Sequence, residues 1–364
     1  MSIVARSRKN HWRRKIKNME KNKQILSYFL ENEYGILPSF DDVSVYYECV
    51  DENKKALDGL AHLKNMRVHL KRKERMTSFG FDMFLPEKPK GLFLFLCNRP
   101  VGFISKEEID PTRKCKSFFY PVEEILKRGY GCLAFLTSEV AEDKNGFHYG
   151  INSLFPEISH SLPHEYGTLL MWAKGFSLII DYLKKDPLTK NLPLASVGHS
   201  RGGKTSLLAG VLDERINLVI SSCAGCSGDA EQSNYHAGAE TIEVITGAFP
   251  YWFTPNYRVF VSQKMAHQQS DFLSLLAPRL LYTSSKSEDL WADPLGEYET
   301  LLKLNPVYEK CGVMGLEPFS DFKMDEERIS QTGNIAHHHL KGIHDLDKRD
   351  WNLYMDFWDK KLGY

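Results

Sequence analysis

Between an apolar run, Leu192–Val197, and a helix-like segment, the chain reads Gly198-His199-Ser200-Arg201-Gly202-Gly203-Lys204. A strand that turns sharply into a helix around one serine forces that serine into a strained backbone conformation. Bulky neighbours would collide there with the adjoining strand and helix, so the geometry needs glycines on both sides. Such a turn lifts the Ser200 hydroxyl above the edge of a sheet, and the helix N-terminus behind it favours a developing negative charge. The plainer reading of the same residues is a tight strand-to-helix turn in which Ser200 caps the helix.

The surrounding pattern supplies the sheet that this turn requires. Gly91–Cys97 is continuously apolar, as expected of a central strand covered on both faces, and Cys132–Leu136 reads the same way. Asn217–Ser222, Leu280–Ser284 and Ile335–Leu340 are further strands. Helices are expected over Pro121–Arg128, Glu165–Lys185, Thr205–Leu212 and Trp351–Lys360, and over Glu20–Leu37 up to Pro38. Arg67–Lys71 and Thr77–Leu85 alternate as an antiparallel pair. Strand–helix alternation of this kind implies a doubly wound, mostly parallel α/β sheet with helices on both faces. We read residues 1–37 as a basic arm and helix, and 38–364 as one domain. An aromatic-rich insertion at about 227–271 is expected to lie over the site, because loops at strand C-termini build the pocket in such sheets.

Lys+Arg and Asp+Glu balance at 47 each, so no global charge draws the chain to nucleic acid or an anionic membrane. No run has the length of a membrane-spanning helix. The basic stretch from Arg6 to Lys23 lacks the apolar core of a signal peptide and reads as a solvated lead-in, and Met19 is an alternative start. Seven scattered cysteines, an odd number, point to reduced thiols and a cytoplasmic location. Cys223-Ala224-Gly225-Cys226 has redox-motif spacing but no matching context, and no second pair completes a zinc site. The expectation is of structural cysteines, no metal and no cofactor. The oligomeric state stays open.

A serine hydroxyl is a weak nucleophile and needs a base to take its proton and a carboxylate to orient that base. His344, in the glycine-flanked loop Gly342-Ile343-His344-Asp345 after the last strand, is the expected base. Asp289 leads as the acid, with Glu288 and Asp293 as alternatives, all just after the Leu280–Ser284 strand. Asp345 and Asp347 read as caps of the last helix. The backbone N–H of Arg201 is one oxyanion donor, and the loop around Asn98 and Arg99 should supply the other. The Arg201 guanidinium can add to it. Lys204 either faces the pocket or lies on the helix surface. His337-His338-His339 is assigned to surface or packing roles rather than to a metal. Trp252, Trp291 and Tyr251 suggest a sugar-stacking surface.

The elbow resembles the G-C-S-R-x-G-K motif of glucuronoyl esterases, carbohydrate esterases of family 15 with the α/β-hydrolase fold. The resemblance extends to Pro250-Tyr251-Trp252-Phe253, Leu276-Ala277-Pro278-Arg279, Trp291-Ala292-Asp293-Pro294 and the His344 loop, and so covers most of the chain from Gly91 onwards. It implies a serine carboxylic-ester hydrolase that cleaves a carbohydrate ester through an acyl-enzyme. By the same resemblance Ser200 is the nucleophile, Arg201 the oxyanion stabiliser, His344 the base, Lys204 a contact to sugar hydroxyls and Trp291 a wall against the sugar. The sequence departs from the pattern at two positions. His199 stands where many members have a cysteine bridged to the histidine loop, and Cys223 stands where many have a catalytic glutamate, which shifts the acid to Asp289. A sugar acetyl esterase, a peptidase on the same fold and a noncatalytic carbohydrate-binding protein remain alternatives. The expected partner is a small-molecule or oligosaccharide ester, with no nucleic acid and no membrane.

Overall fold

The computed structural model describes residues 20–99 and 119–364. Residues 1–19, which hold Met19 and most of the basic arm, lie outside the described residues, as do residues 100–118, which include Cys115. Among the described residues ten strands form one sheet: β1 (Ser44–Ala56), β2 (Ala61–Arg72), β3 (Arg75–Leu85), β4 (Leu92–Cys97), β5 (Gly131–Leu136), β6 (Leu194–His199), β7 (Leu218–Ser222), β8 (Leu280–Lys286), β9 (Arg328–Ser330) and β10 (Ile335–Leu340). Their order is β1-β2-β3-β5-β4-β6-β7-β8-β10-β9. The six strands from β5 to β10 in that order run parallel, while β1–β3 and β9 add antiparallel edges.

The period-two rule for strands assigns the two faces of β4. Leu92, Leu94 and Leu96 enter one core with the helices Thr168–Leu183 and Arg201–Leu212. Phe93, Phe95 and Cys97 enter the other core with the helices Val122–Lys127 and Lys348–Leu362. There the Phe93 ring meets Trp358 edge-on at 4.7 Å and Trp351 at 5.6 Å. Each aromatic face so buried contributes a few kcal/mol. The sheet is therefore pinned from both sides at the strand that precedes the oxyanion loop.

Several elements differ from the sequence expectation for physical reasons. β1 carries Asp51-Glu52-Asn53-Lys54-Lys55 and is mostly exposed, so it lacks the apolar alternation that marks a strand. Charges on an edge strand suit its position, because they discourage pairing with another chain. The N-terminal helix does not reach Pro38. Residues 20–29 are helical, Leu30–Tyr34 widens into a π-turn, and Gly35 ends it at φ +86°. A Cβ on Gly35 would sit 2.3 Å from the Tyr166 Cα, so packing against the neighbouring segment sets this stop.

The segment 227–271 is packed into the main core. It holds the short helix Ile242–Ala248 and the start of Gln269–Leu273, and it buries Trp252, Phe253 and Tyr257. His337, His338 and His339 lie on β10, buried rather than on the surface. Cys223 and Cys226 are both buried free thiols. Among the described residues no helix is long and apolar enough to cross a membrane.

Candidate active site

Ser200 sits between β6 and the Arg201–Leu212 helix with φ 58° and ψ −124°, a conformation that costs energy for any residue with a Cβ. Neighbouring contacts hold it there. The Ser200 N–H donates to the Ser222 carbonyl at 2.8 Å, and the Lys204 N–H donates to the Ser200 carbonyl at 3.1 Å. The flanking glycines are required by contact as well as by conformation. A Cβ on Gly198 would lie 1.9 Å from the Gly202 carbonyl oxygen, and one on Gly203 would lie 2.8 Å from the Ser221 Oγ. The elbow therefore presents its hydroxyl at the C-terminal edge of the sheet, at a helix start where the Arg201 N–H has no intrahelical acceptor.

Asp289 and His344 arrive there from the ends of β8 and β10. Their side chains hydrogen-bond at 2.6 Å, Nδ1 to Oδ2, with Asp289 only 4% exposed and the His344 side chain 40% exposed. Asp289 is the one of the three proposed carboxylates that meets the imidazole. Glu288 is exposed. Asp293 caps the Pro294–Leu302 helix through the Gly296 N–H and bonds the His236 ring. The His344 ring lies 4.5 Å from the ring of His199, the residue beside Ser200, which places the base at the elbow. His199 is fully buried, and burial pushes its pKa well below the ordinary imidazole value, with His344 and Arg99 adding repulsion. It is therefore a neutral, uncharged wall for His344.

The His344 loop has a second anchor. Arg99 pairs with Asp345 and stacks 3.6 Å above the Phe119 ring. Asp347 does cap the last helix, accepting from the Arg349 N–H at 2.6 Å, whereas Asp345 serves the tether instead. Asn98 and Arg99 stand at the end of β4, where a second oxyanion donor is expected, and the residues that follow them lie outside the described set.

Arg201 is fixed by a carboxylate that sequence reasoning missed. It pairs with Asp143, which also accepts from the Trp252 Nε1–H at 2.8 Å and the Tyr251 hydroxyl at 3.3 Å. The guanidinium lies 4.8 Å over Trp252 and 5.2 Å over Phe249. This corrects the expectation for Trp252. At 2% exposed, stacked on Phe249 at 3.9 Å, it supports Arg201 from behind and has no face left for a sugar. Lys204 is neither on the helix surface nor freely exposed to solvent. Its buried ammonium donates to the Ala224 and Cys226 carbonyls and to Glu240 Oε1, the last at 2.5 Å. Glu240 in turn accepts from the Trp291 Nε1–H at 3.0 Å, and Trp291 keeps an exposed ring. Asp143 and Glu240 have no local sequence signature. Only their contacts with Arg201 and Lys204, both in the elbow motif, mark them.

A strained serine between strand and helix, with an Asp–His pair delivered from later strands, is the layout of a serine hydrolase on the α/β-hydrolase fold. A family model described as "Glucuronyl esterase, fungi" matches residues 120–312. The chain belongs to this glucuronoyl esterase family of carboxylic-ester hydrolases. It is 28% identical over 374 residues to a carbohydrate esterase from an unknown prokaryotic organism, covering 95% of this chain and 85% of that one. A 4-O-methyl-glucuronoyl methylesterase of Phanerochaete carnosa is 26% identical over 57% of this chain and 51% of its own length. Among solved structures, the glucuronoyl esterase of Solibacter usitatus superposes with a TM-score of 0.83 at 26% identity, covering 94% of this chain and 92% of that one. A promiscuous family 15 esterase from a marine bacterial metagenome gives a TM-score of 0.80 at 27% identity, covering 93% and 90%.

Proposed function

We propose that this esterase hydrolyses an ester on the carboxyl group of a hexuronic acid sugar, the substrate class named in its 4-O-methyl-glucuronoyl methylesterase relatives. Ser200 Oγ attacks the ester carbonyl while His344 Nε2 takes its proton, and the buried Asp289 carboxylate holds Nδ1 and stabilises the imidazolium that forms. The Arg201 N–H and guanidinium, with donors from the loop after β4 (Asn98 and Arg99), receive the oxyanion. His344 then returns the proton to the leaving alcohol, and water releases the acid from the acyl-serine by the same relay. Trp291 presents an exposed ring suited to the face of a sugar, and the buried Lys204–Glu240 pair holds that ring through the Trp291 Nε1–H.

The observation that carries this reading is the 2.6 Å pair of Asp289 with His344, whose ring lies 4.5 Å from that of His199, next to the strained Ser200. The test is a substrate panel on purified protein: methyl glucuronate, an acetylated sugar and an aminoacyl ester. Turnover of the glucuronate ester should exceed the other two and vanish in Ser200→Ala. Preference for the acetylated sugar would instead support the acetyl esterase alternative.

A further inference from the structure

Cys223 takes no part in the relay above, yet it is placed against it. It follows β7 with φ 49°, its N–H donates to the Ser284 carbonyl at 2.8 Å, and its side chain is buried. One donor atom each from Cys223, Asp289 and His344 lies within 4.8 Å of the others. The three come from the ends of β7, β8 and β10, and only His344 is open to solvent. Thiol, imidazole and carboxylate together are a donor set for zinc-like ions, and three protein ligands leave a fourth position for water. Metal–sulfur and metal–nitrogen bonds of about 2.3 and 2.0 Å put tetrahedral ligand atoms roughly 3.5 Å apart. The half-exposed His344 loop can supply that small closure, and its exposed side is the entry path.

We propose that Cys223, Asp289 and His344 form an inhibitory site for a soft divalent cation such as Zn²⁺. On binding, the thiol releases its proton to water, and sulfur and Nδ1 become ligands. The Nδ1 proton passes to Nε2, so the imidazole keeps one proton but now carries it on the nitrogen that must accept from Ser200. The base is thus occupied by its own tautomer. The loss of turnover rests on His344 being the base, whereas the ion site itself does not.

The test uses the full chain in two measurements. Micromolar Zn²⁺ should inhibit hydrolysis of an aryl ester, reversibly with EDTA, and Cys223→Ala, which retains turnover in EDTA, should need at least tenfold more Zn²⁺. Separately, Co²⁺ added to the wild type should give thiolate-to-cobalt charge-transfer absorption in the near ultraviolet that is missing in Cys223→Ala. Equal zinc sensitivity of the two proteins, or a cobalt spectrum indifferent to Cys223, would overturn the site. The Cys223-dependent cobalt band without zinc inhibition would overturn the inhibitory role, and would do so through the assignment of His344.

Discussion

His344 and the three histidines of β10 lie within eight residues of one another, and their surroundings could hardly differ more. His337 is held by Thr283 at 2.7 Å and Ser285 at 3.3 Å, His338 by Tyr282 at 3.0 Å and Asp350 at 2.8 Å, and His339 by Ser285 at 2.8 Å and the Met324 carbonyl at 2.9 Å. Both nitrogens of each ring are used, and burial holds all three below the ordinary imidazole value. His344 has one nitrogen fixed by Asp289, while its Nε2 makes no hydrogen bond among the described residues. A satisfied histidine is a structural member, and one with a spare nitrogen, an orienting carboxylate and an open face is a base. The difference comes from position. β10 buries its side chains on both faces, and the loop beyond it carries the next histidine clear of the sheet.

Substitutions should separate these two groups cleanly. The largest effect is expected for His344→Ala, with kcat/KM down roughly 10⁴-fold and an unchanged urea midpoint. Asp289→Asn should follow at roughly 10³-fold, because the amide stabilises the wrong tautomer and cannot balance the imidazolium. Arg201→Lys should cost about 10²-fold in kcat, since a point charge cannot both pair with Asp143 and reach the oxyanion. If Arg201 is oriented by its partner, Asp143→Asn will lower kcat in the same direction with less effect on KM. On the β10 side, His338→Ala should leave activity per folded molecule within about threefold while removing about 2–3 kcal/mol of stability, measured by urea unfolding, because it strips a partner from a buried carboxylate.

A comparable effect is a pH dependence of stability from the same carboxylate. Burial alone would raise the Asp350 pKa, but His338 and Lys286 hydrogen-bond its charged form and bring it to about 2. A folded value below the unfolded one of about 3.9 means that Asp350 adds stability above that value. This contribution, about 2 kcal/mol, is lost as pH falls from about 4 to about 2. His338→Ala should flatten that part of the stability profile, and a profile identical to wild type would argue against the coupling. Glu288→Gln, one residue from the acid but exposed, should change nothing measurable.

Much of this was legible in the sequence where the chemistry is local. The elbow is readable because its glycines, serine and helix start occupy seven consecutive residues; β4 and β5 are readable because their buried runs are continuously apolar, and β10 because Ile335–Leu340 alternates. Asp143 and Glu240 are not, because each acts through a contact with a residue about 60 or fewer positions away and neither stands in a pattern of its own. Trp252 and Lys204 show the limit of composition as a guide. An aromatic in a long connection and a lysine on a helix suggest exposure, and here tertiary packing buries both. β1 is the converse case, a true strand whose exposed charges hide its period.

The account rests on an imidazole–carboxylate pair that activates Ser200, and the labelling rate of that serine by a fluorophosphonate probe reports it most directly. Wild-type protein should be labelled stoichiometrically at Ser200, and His344→Ala should react at least 10³-fold more slowly while remaining folded. Labelling that proceeds equally fast without the His344 imidazole, or that lands on a residue other than Ser200, would contradict it.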